Sequence, residues 1–208
     1  MIPAGSVQLE ANLWEPDGPP RGAVVVCHPH PVYGGTMDNR IVYRAAKAAA
    51  AAGFAALRFN FRGTGQSTGL FDQGIGEKDD VVEAIRWLKE RYPGLPLAMI
   101  GYSFGAWVGL QVAYSDPRVV AMVGLGIPLN LYDMEFLIEN SKPALYVVGT
   151  RDEFCSQENL DRFVRRLHPS SFVHQIDDAD HFFSNQADIV QDLIYDFFSQ
   201  LQLDPHTL

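Results

Sequence analysis

A serine at position 103 stands between two glycines in the stretch Gly101-Tyr102-Ser103-Phe104-Gly105. The stretch follows the apolar residues 97–100 and precedes the apolar residues 106–113, so it predicts a sharp turn from a strand into a helix. The glycines leave room for neighbouring backbone, and the strained turn exposes the serine hydroxyl at the strand end. This hydroxyl is a candidate nucleophile, because the free N–H groups of the helix N-terminus face the atom that it attacks.

Two further groups that can work with a serine follow later strands. Asp152 comes shortly after the apolar residues 144–149, and His181 comes after the strand-like residues 172–176. A histidine can accept the proton of a hydroxyl near neutral pH, and a carboxylate can orient that histidine. Taken singly, each of these residue types is more often a cap, a turn residue or a surface group. Together, at three strand ends, they indicate nucleophilic catalysis.

The elements that must position these groups alternate between strands and helices. Apolar and β-branched runs predict strands at residues 23–27, 55–59, 97–100, 119–124, 144–149 and 172–176, with an edge strand at 7–13. Helices are predicted from Asp38 or Asn39 to Ala52, over 77–91, from 106 to Pro117, over 132–140 as a short helix, and over 156–167 and 185–201. The alternation is typical of an α/β protein with a doubly wound, mainly parallel sheet, which binds ligands at the C-terminal strand ends.

Composition limits the class of protein. The chain has 208 residues, 47% of them hydrophobic and 20% charged, which predicts a single domain over residues 1–208. A net charge of −9 argues against a nucleic-acid or anionic-membrane surface. Cys27 and Cys155 cannot form a disulfide framework, and the N-terminus lacks a signal-peptide pattern, so we expect a cytoplasmic protein. No apolar stretch is suitable for a membrane span.

Four stretches together resemble the α/β-hydrolase superfamily, and specifically its small lidless branch of dienelactone-hydrolase-like or predicted esterase-type proteins. These stretches are residues 28–37, 59–67, 101–105 and 179–183. The chain order Ser103, Asp152, His181 is also the order that α/β-hydrolases use. The resemblance extends over about residues 23–183 and implies an α/β-hydrolase fold without a cap domain.

The resemblance implies a catalytic triad. Ser103 is expected to be the nucleophile, His181 the general base and Asp152 the acid that orients the imidazole. Asp152 fits the family's G-x-x-D spacing after Gly149, although this chain has Thr150 where family members often carry an acidic residue. Glu153, one position further on, is expected to point elsewhere. Three other acids lie too close in sequence to His181 to support its ring easily: Asp177, Asp178 and Asp180.

Two backbone N–H groups are expected to bind the oxyanion of the reaction intermediate. Phe104 supplies one, as the residue after the nucleophile. Alignment of His28-Pro29 with the superfamily's His-Gly pair leaves His30 as the second donor and Val32 as the alternative, since the prolines of this loop have no N–H. The side chains of the two histidines are expected to brace the loop. An H-x-H metal site lacks partners at ligand spacing, so we expect no metal and no cofactor.

The segment that carries a lid in many α/β-hydrolases is short in this chain. Residues 126–143 have room for a short helix but not for a cap domain, so an open cleft is expected. The predicted substrate-binding residues are Tyr33, Tyr102, Ile127 and Phe182, with Phe61, Phe71, Pro128 and Phe183 as further candidates.

These features predict a serine hydrolase that cleaves small to medium carboxylic esters, or thioesters or lactones, through an acyl-enzyme. The alternative is a non-catalytic binding or signalling module with the same fold. A peptidase is a weaker hypothesis, because the sequence has no propeller or cap to select peptides by size. We expect a small-molecule ester-type substrate, no nucleic acid and no membrane, and either a monomer or a homodimer.

Overall fold

The computed structural model of the protein describes residues 1–202, and its centre is a seven-stranded sheet with the strand order β3-β5-β4-β6-β7-β8-β9. The strands are β1 Ile2–Ala4, β2 Val7–Leu9, β3 Ala11–Trp14, β4 Gly22–Cys27, β5 Phe54–Phe59, β6 Leu97–Tyr102, β7 Val119–Leu125, β8 Ala144–Gly149 and β9 Ser171–Ile176. The helices are α1 Arg40–Ala51, α2 Gly76–Arg91, α3 Phe104–Ser115, α4 Gln157–Val164 and α5 Ala187–Gln200. β1 and β2 form a separate hairpin-like pair.

The large sheet has helices on both faces. Buried side chains of α2, α3 and α4 pack on one face, and those of α1 and α5 pack on the other. Every residue of β4, β5, β6 and β8 is buried, as expected for central strands covered on both sides. β3 pairs antiparallel with β5, and the other strand pairs of this sheet are parallel. The predicted doubly wound, mainly parallel sheet is confirmed.

Side-chain caps set the starts of two helices. The Asn39 Oδ1 accepts the Ile41 N–H at 2.9 Å, so Asn39 rather than Asp38 is the N-cap of α1. The Ser156 Oγ accepts the Asn159 N–H at 3.3 Å at the start of α4. Both caps agree with the starts predicted from the sequence.

Two predicted elements differ from the structure. The single strand expected at 7–13 is two strands, β2 and β3, because Glu10 between them forms hydrogen bonds with the loop after β5. Its N–H donates to the Ser67 Oγ, and its carboxylate accepts from the Asn60 Nδ2 at 2.7 Å and from the Gln66 N–H at 2.8 Å. The helix expected over 132–140 is reduced to one 3₁₀ turn, Glu135–Leu137.

The single domain predicted over 1–208 includes residues 203–208, which lie outside the described residues, so it stays a prediction. In the part that the structure describes, none of the helices combines the length and the apolarity needed to cross a membrane.

The strand order decides which loops meet. β6, β7, β8 and β9 are successive neighbours and run parallel, so the loops that follow them leave the sheet at the same edge. Ser103 follows β6, Asp152 follows β8 and His181 follows β9. The loop after β4 lies on the other side of β6 at the same edge.

Candidate active site

Ser103 occupies the turn between β6 and α3 in a strained backbone conformation. Its φ of 54° and ψ of −117° lie outside the regions that L-amino acids normally adopt. The Ser103 N–H donates to the carbonyl of Leu125 at 2.9 Å, which ties the turn to the end of β7. Ser103 is partly exposed, whereas both of its chain neighbours are buried. The turn therefore presents the hydroxyl at the surface, as the motif predicts.

The glycines on either side of the serine allow two close backbone approaches. A Cβ atom on Gly101 would lie 2.5 Å from the Cα of Ala106. A Cβ atom on Gly105 would lie 2.5 Å from the carbonyl oxygens of both Cys27 and His28. Gly105 thus lets the start of α3 contact the end of β4, which brings the loop after β4 beside Ser103.

Ser103, His181 and Asp152 form a continuous chain of hydrogen bonds. The Ser103 Oγ lies 2.9 Å from the His181 Nε2, and the His181 Nδ1 lies 2.9 Å from each carboxylate oxygen of Asp152. The Asp152 and His181 side chains are almost fully buried. When the Nδ1–H donates to the Asp152 carboxylate, the Nε2 is left as the acceptor for a hydrogen bond from the Ser103 hydroxyl.

The loops after β8 and β9 are tied together, which aligns the acid with the histidine. The Arg151 N–H donates to the carbonyl of Ala179 at 2.9 Å, and the Thr150 Oγ1 accepts the Asp178 N–H at 2.9 Å. Thr150, which differs from the acidic residue common in the family, thus joins the two loops. The Asp152 carboxylate also accepts the Phe154 N–H at 2.8 Å, which fixes its rotamer.

Aromatic rings surround the imidazole of His181. The Phe154 ring meets it edge-on at 4.6 Å between centroids, and the Phe182 ring does so at 5.5 Å. On a third side the Tyr102 ring is stacked at 5.9 Å, and the Tyr102 hydroxyl donates to the His181 carbonyl at 3.1 Å. Gly126 has a φ of 50°, and a Cβ atom there would lie 3.2 Å from the His181 Cε1. These contacts hold the imidazole in one orientation.

Both predicted oxyanion donors have a free N–H group in this structure. Among the described residues, neither the Phe104 N–H nor the His30 N–H has a hydrogen-bond acceptor. The Val32 N–H, the alternative donor, is engaged by the His30 Nδ1 at 3.2 Å. The His30 and Phe104 rings lie 4.8 Å apart, so the two residues are neighbours beside the serine turn. This geometry favours His30 over Val32.

His28 braces the loop that carries His30. It is fully buried, its Nδ1 lies 2.6 Å from the Pro29 carbonyl, and its Nε2 accepts the Phe61 N–H at 3.0 Å. Burial lowers the pKa of His28 to about 4, so the ring is neutral at pH 7 and its Nδ1–H donates to Pro29. Since both ring nitrogens have protein partners, His28 is a structural residue of this loop.

Comparison of the chain with known proteins identifies its family. The model of the family described as X-Pro dipeptidyl-peptidase (S15 family) matches residues 5–140, which is more than half of the chain. The chain belongs to this family. The family is a branch of the α/β hydrolases, and the matched region includes Ser103 but ends before Asp152 and His181.

Relatives of this hydrolase align with nearly its full length. An uncharacterized protein of Rickettsia prowazekii is 33% identical, with 96% of this chain and 87% of that protein covered. An α/β serine hydrolase homologue from Coxiella burnetii is 32% identical, with a TM-score of 0.88 and 94% of each chain covered. An α/β serine hydrolase without a lid, from Xanthomonas campestris, is 29% identical, with a TM-score of 0.82 and 94% and 89% of the two chains covered.

The hydrolase has no lid over Ser103 in its described residues. The segment 126–143, where a lid would be inserted, contains one 3₁₀ turn and no further regular element. A groove of about 580 Å³ between α2 and α3 is lined by Val82, Gln111 and Pro117 among others, and its lining does not include Ser103. The predicted lidless architecture is confirmed.

The predicted substrate-binding residues divide into two groups. Tyr33 and Phe182 are 86% and 58% exposed and flank the site. Tyr102 and Ile127 are 2% and 0% exposed, so this structure does not present either side chain to a substrate as the sequence analysis expects. Tyr102 supports the backbone of His181 instead, and Ile127 packs in the core on the α3 side of the sheet. Of the further candidates, Phe71 is partly exposed and the others are buried: Phe61, Pro128 and Phe183.

An acidic pair at the start of α2 anchors the loop after β5 and was not identified from the sequence. The buried Asp80 carboxylate accepts from the Arg62 Nη2 at 2.7 Å and from the Arg62 N–H at 2.9 Å. The buried Glu77 carboxylate accepts the N–H groups of Asp72 and Gly74 at 2.8 and 2.7 Å. The sequence signal was the position of both acids on the face of α2 that also carries Val81 and other apolar residues.

Proposed function

We propose that this hydrolase is a serine carboxylesterase that cleaves small to medium esters, or thioesters, through an acyl-enzyme. The observation that carries the proposal is the hydrogen-bonded chain from the Ser103 Oγ through His181 to Asp152, at 2.9 Å for each link, beside two free backbone N–H groups. An activated hydroxyl and an anion-binding pair are what acyl transfer requires. The serine hydrolase homologues of similar structure support the same class.

In the acylation step, the Ser103 Oγ forms a bond to the ester carbonyl carbon while its proton passes to the His181 Nε2. The negative oxygen of the tetrahedral intermediate accepts hydrogen bonds from the N–H groups of Phe104 and His30. The bond from the carbonyl carbon to the alcohol oxygen then breaks, and that oxygen takes the proton from His181.

In the deacylation step, a water molecule attacks the acyl group on Ser103 and gives its proton to His181. The intermediate collapses, the proton returns to the Ser103 Oγ, and the free acid leaves. Asp152 keeps the imidazole in the required tautomer and stabilises its cation in both steps.

Kinetics with p-nitrophenyl esters from acetate to decanoate test the proposal. We expect turnover by the wild type, and a loss in kcat on the order of 10⁶ for Ser103→Ala or His181→Ala, since triad members act as a unit. Ser141→Ala, which changes an exposed serine, is the matched control and should behave as wild type. Wild type without turnover, or Ser103→Ala with full activity, would refute the proposal and favour the non-catalytic binding module.

The family description raises X-Pro dipeptidyl-peptidase activity as a second candidate. The absence of a cap over residues 126–143 leaves the described site without an element that selects peptide length. We therefore expect no release of nitroaniline from Gly-Pro-p-nitroanilide under conditions in which p-nitrophenyl acetate is cleaved. Release that is lost in Ser103→Ala would instead support the peptidase.

A further inference from the structure

The alcohol part of an ester must leave next to His181 if the proposed esterase function holds. The His181 Nε2 lies 2.9 Å from the Ser103 Oγ, and the oxygen of the leaving alcohol takes its proton from this nitrogen. For that transfer the alcohol oxygen comes within hydrogen-bond distance of the imidazole, at roughly 3 Å. The group attached to this oxygen therefore lies among the side chains that surround the imidazole of His181.

Three aromatic rings around the imidazole differ in how open they are to a ligand. His181 itself is 3% exposed, and the Tyr102 ring that stacks on it is 2% exposed. The Phe154 ring, at 4.6 Å between centroids, is partly exposed. The Phe182 ring meets the imidazole edge-on at 5.5 Å and is 58% exposed. Of the three rings, Phe182 is therefore the one most open to a group bound at His181.

A hydrogen-bonded turn holds Phe182 in its exposed position. The Asp180 Oδ1 accepts the N–H groups of Phe182 and Ser184 at 3.1 and 3.0 Å, and the Asp180 Oδ2 accepts the Ser184 hydroxyl at 2.6 Å. These bonds, led by the one from the Ser184 hydroxyl, lower the pKa of Asp180, so its carboxylate is charged at neutral pH. Phe183 has a φ of 49° and is fully buried. The turn thus directs one ring into the core and the preceding ring into solvent.

The exposed ring of Phe182 contributes little to folding. Apolar area stabilises the folded chain when it is removed from water, and more than half of the Phe182 surface stays in water. A polar residue at position 182 would make the same bond to Asp180, since that bond uses only the backbone N–H. The phenyl group instead provides apolar area beside the His181 imidazole, which a ligand can cover.

We propose that Phe182 determines specificity for the alcohol part of the ester and favours aryl esters and other esters of large apolar alcohols. The inference rests on the proposed esterase function and names the substrate class on the leaving side of Ser103. A ring on the alcohol oxygen can reach Phe182 while this oxygen is bound at the His181 Nε2, because the two side-chain rings are in edge contact. A methyl or ethyl group on the same oxygen covers less of the Phe182 ring and gains less from apolar burial.

Phenyl acetate and 2-naphthyl acetate test this inference as a matched pair. They share the acyl group, and phenol and 2-naphthol have similar acidity, so the esters differ mainly in the apolar area of the leaving group. We expect kcat/KM of the wild type to be about 10-fold higher for the naphthyl ester, given the area that the second ring adds. In Phe182→Ala this preference should fall about 5-fold, because the ring contact is lost.

Two controls locate the contact. Phe172→Ala removes a phenylalanine of β9 that is 62% exposed, close to the 58% of Phe182, and should keep the wild-type naphthyl-to-phenyl ratio. Phe182→Ala should keep the wild-type ratio of kcat/KM for p-nitrophenyl hexanoate and acetate, since these esters differ only in the acyl group. A ratio of two substrates measured on one preparation does not depend on the fraction of folded protein, so reduced folding of a variant does not affect the result.

The outcomes separate the two proposals. Equal turnover of the naphthyl and phenyl esters by the wild type, or an undiminished preference in Phe182→Ala, would overturn the role of Phe182 while ester hydrolysis stands. A changed hexanoate-to-acetate ratio in Phe182→Ala would overturn it as well, because the ring would then contact the acyl group. No turnover of any ester would overturn the esterase function itself.

Discussion

Ser103 holds a backbone conformation that costs free energy, and the strain has a use. A φ of 54° at a residue other than glycine is kept because the flanking glycines and the Leu125 carbonyl fix the turn. The result is a hydroxyl 2.9 Å from the His181 Nε2 and next to two free N–H groups. Strain at this one residue thus preorganises the site for the proposed attack.

His28 makes the stability of the hydrolase depend on pH. Its pKa is about 4 in the folded chain because of burial, against about 6.5 for an exposed histidine. Between these values the unfolded chain binds more protons, so the stability that neutral His28 provides is complete above pH 6.5 and is lost as the pH falls towards 4. The loss is up to roughly 3 kcal/mol.

Urea unfolding of wild type and His28→Gln at several pH values between 6.5 and 4 measures this effect. We expect the free energy of unfolding to fall less steeply in His28→Gln, which has no group to protonate at this position. The control His168→Gln changes an exposed histidine and should keep the wild-type slope. Identical slopes for wild type and His28→Gln would contradict the account of His28.

At the scale of elements, the loop after β5 depends on the ion pair between Arg62 and Asp80. The Asp80 side chain is fully buried, and the Arg62 side chain is 17% exposed. Asp80→Asn would leave the Arg62 guanidinium poorly paired, so we expect the free energy of unfolding to fall by about 2–4 kcal/mol. This decrease is somewhat smaller than the one expected when a fully buried ion pair is broken.

The exposed pair of Glu158 and Arg162 on α4 provides the matched control for this element. Both side chains face solvent, so Glu158→Gln should change the unfolding free energy by less than about 0.5 kcal/mol. Chemical denaturation of both variants gives the comparison. If Asp80→Asn is as stable as Glu158→Gln, the ion pair does not anchor the loop.

The sequence predicts the alternation of elements and the strand ends because both depend on local patterns. Ser103, Asp152 and His181 each lie at or shortly after the end of a predicted strand, so their meeting at one sheet edge follows from a parallel sheet. Tyr102 and Ile127 lie beside the same strand ends, but the side to which they point depends on the packing of the whole sheet. The ion pair of Arg62 and Asp80 joins the loop after β5 to α2, and the stacked rings of Trp107 and Tyr132 join α3 to the loop after β7. No local pattern of the sequence encodes such contacts.

At the scale of the whole molecule, the lack of a lid predicts that the rate depends smoothly on the ester concentration. An enzyme that must displace a lid becomes active when its substrate forms an interface, whereas the segment 126–143 contains only one 3₁₀ turn in this structure. The rate with p-nitrophenyl butanoate should therefore follow a smooth saturation curve through the solubility limit of the ester. An abrupt increase in rate at that limit would indicate a closing element.

Covalent labelling with a fluorophosphonate tests the central claim most directly. The phosphorus atom reacts with an activated serine, and the adduct can be located by mass spectrometry of peptides. The account predicts one adduct per chain, on the peptide that contains Ser103, and none in Ser103→Ala. A wild type that remains unlabelled, or a label that persists in Ser103→Ala, would contradict it.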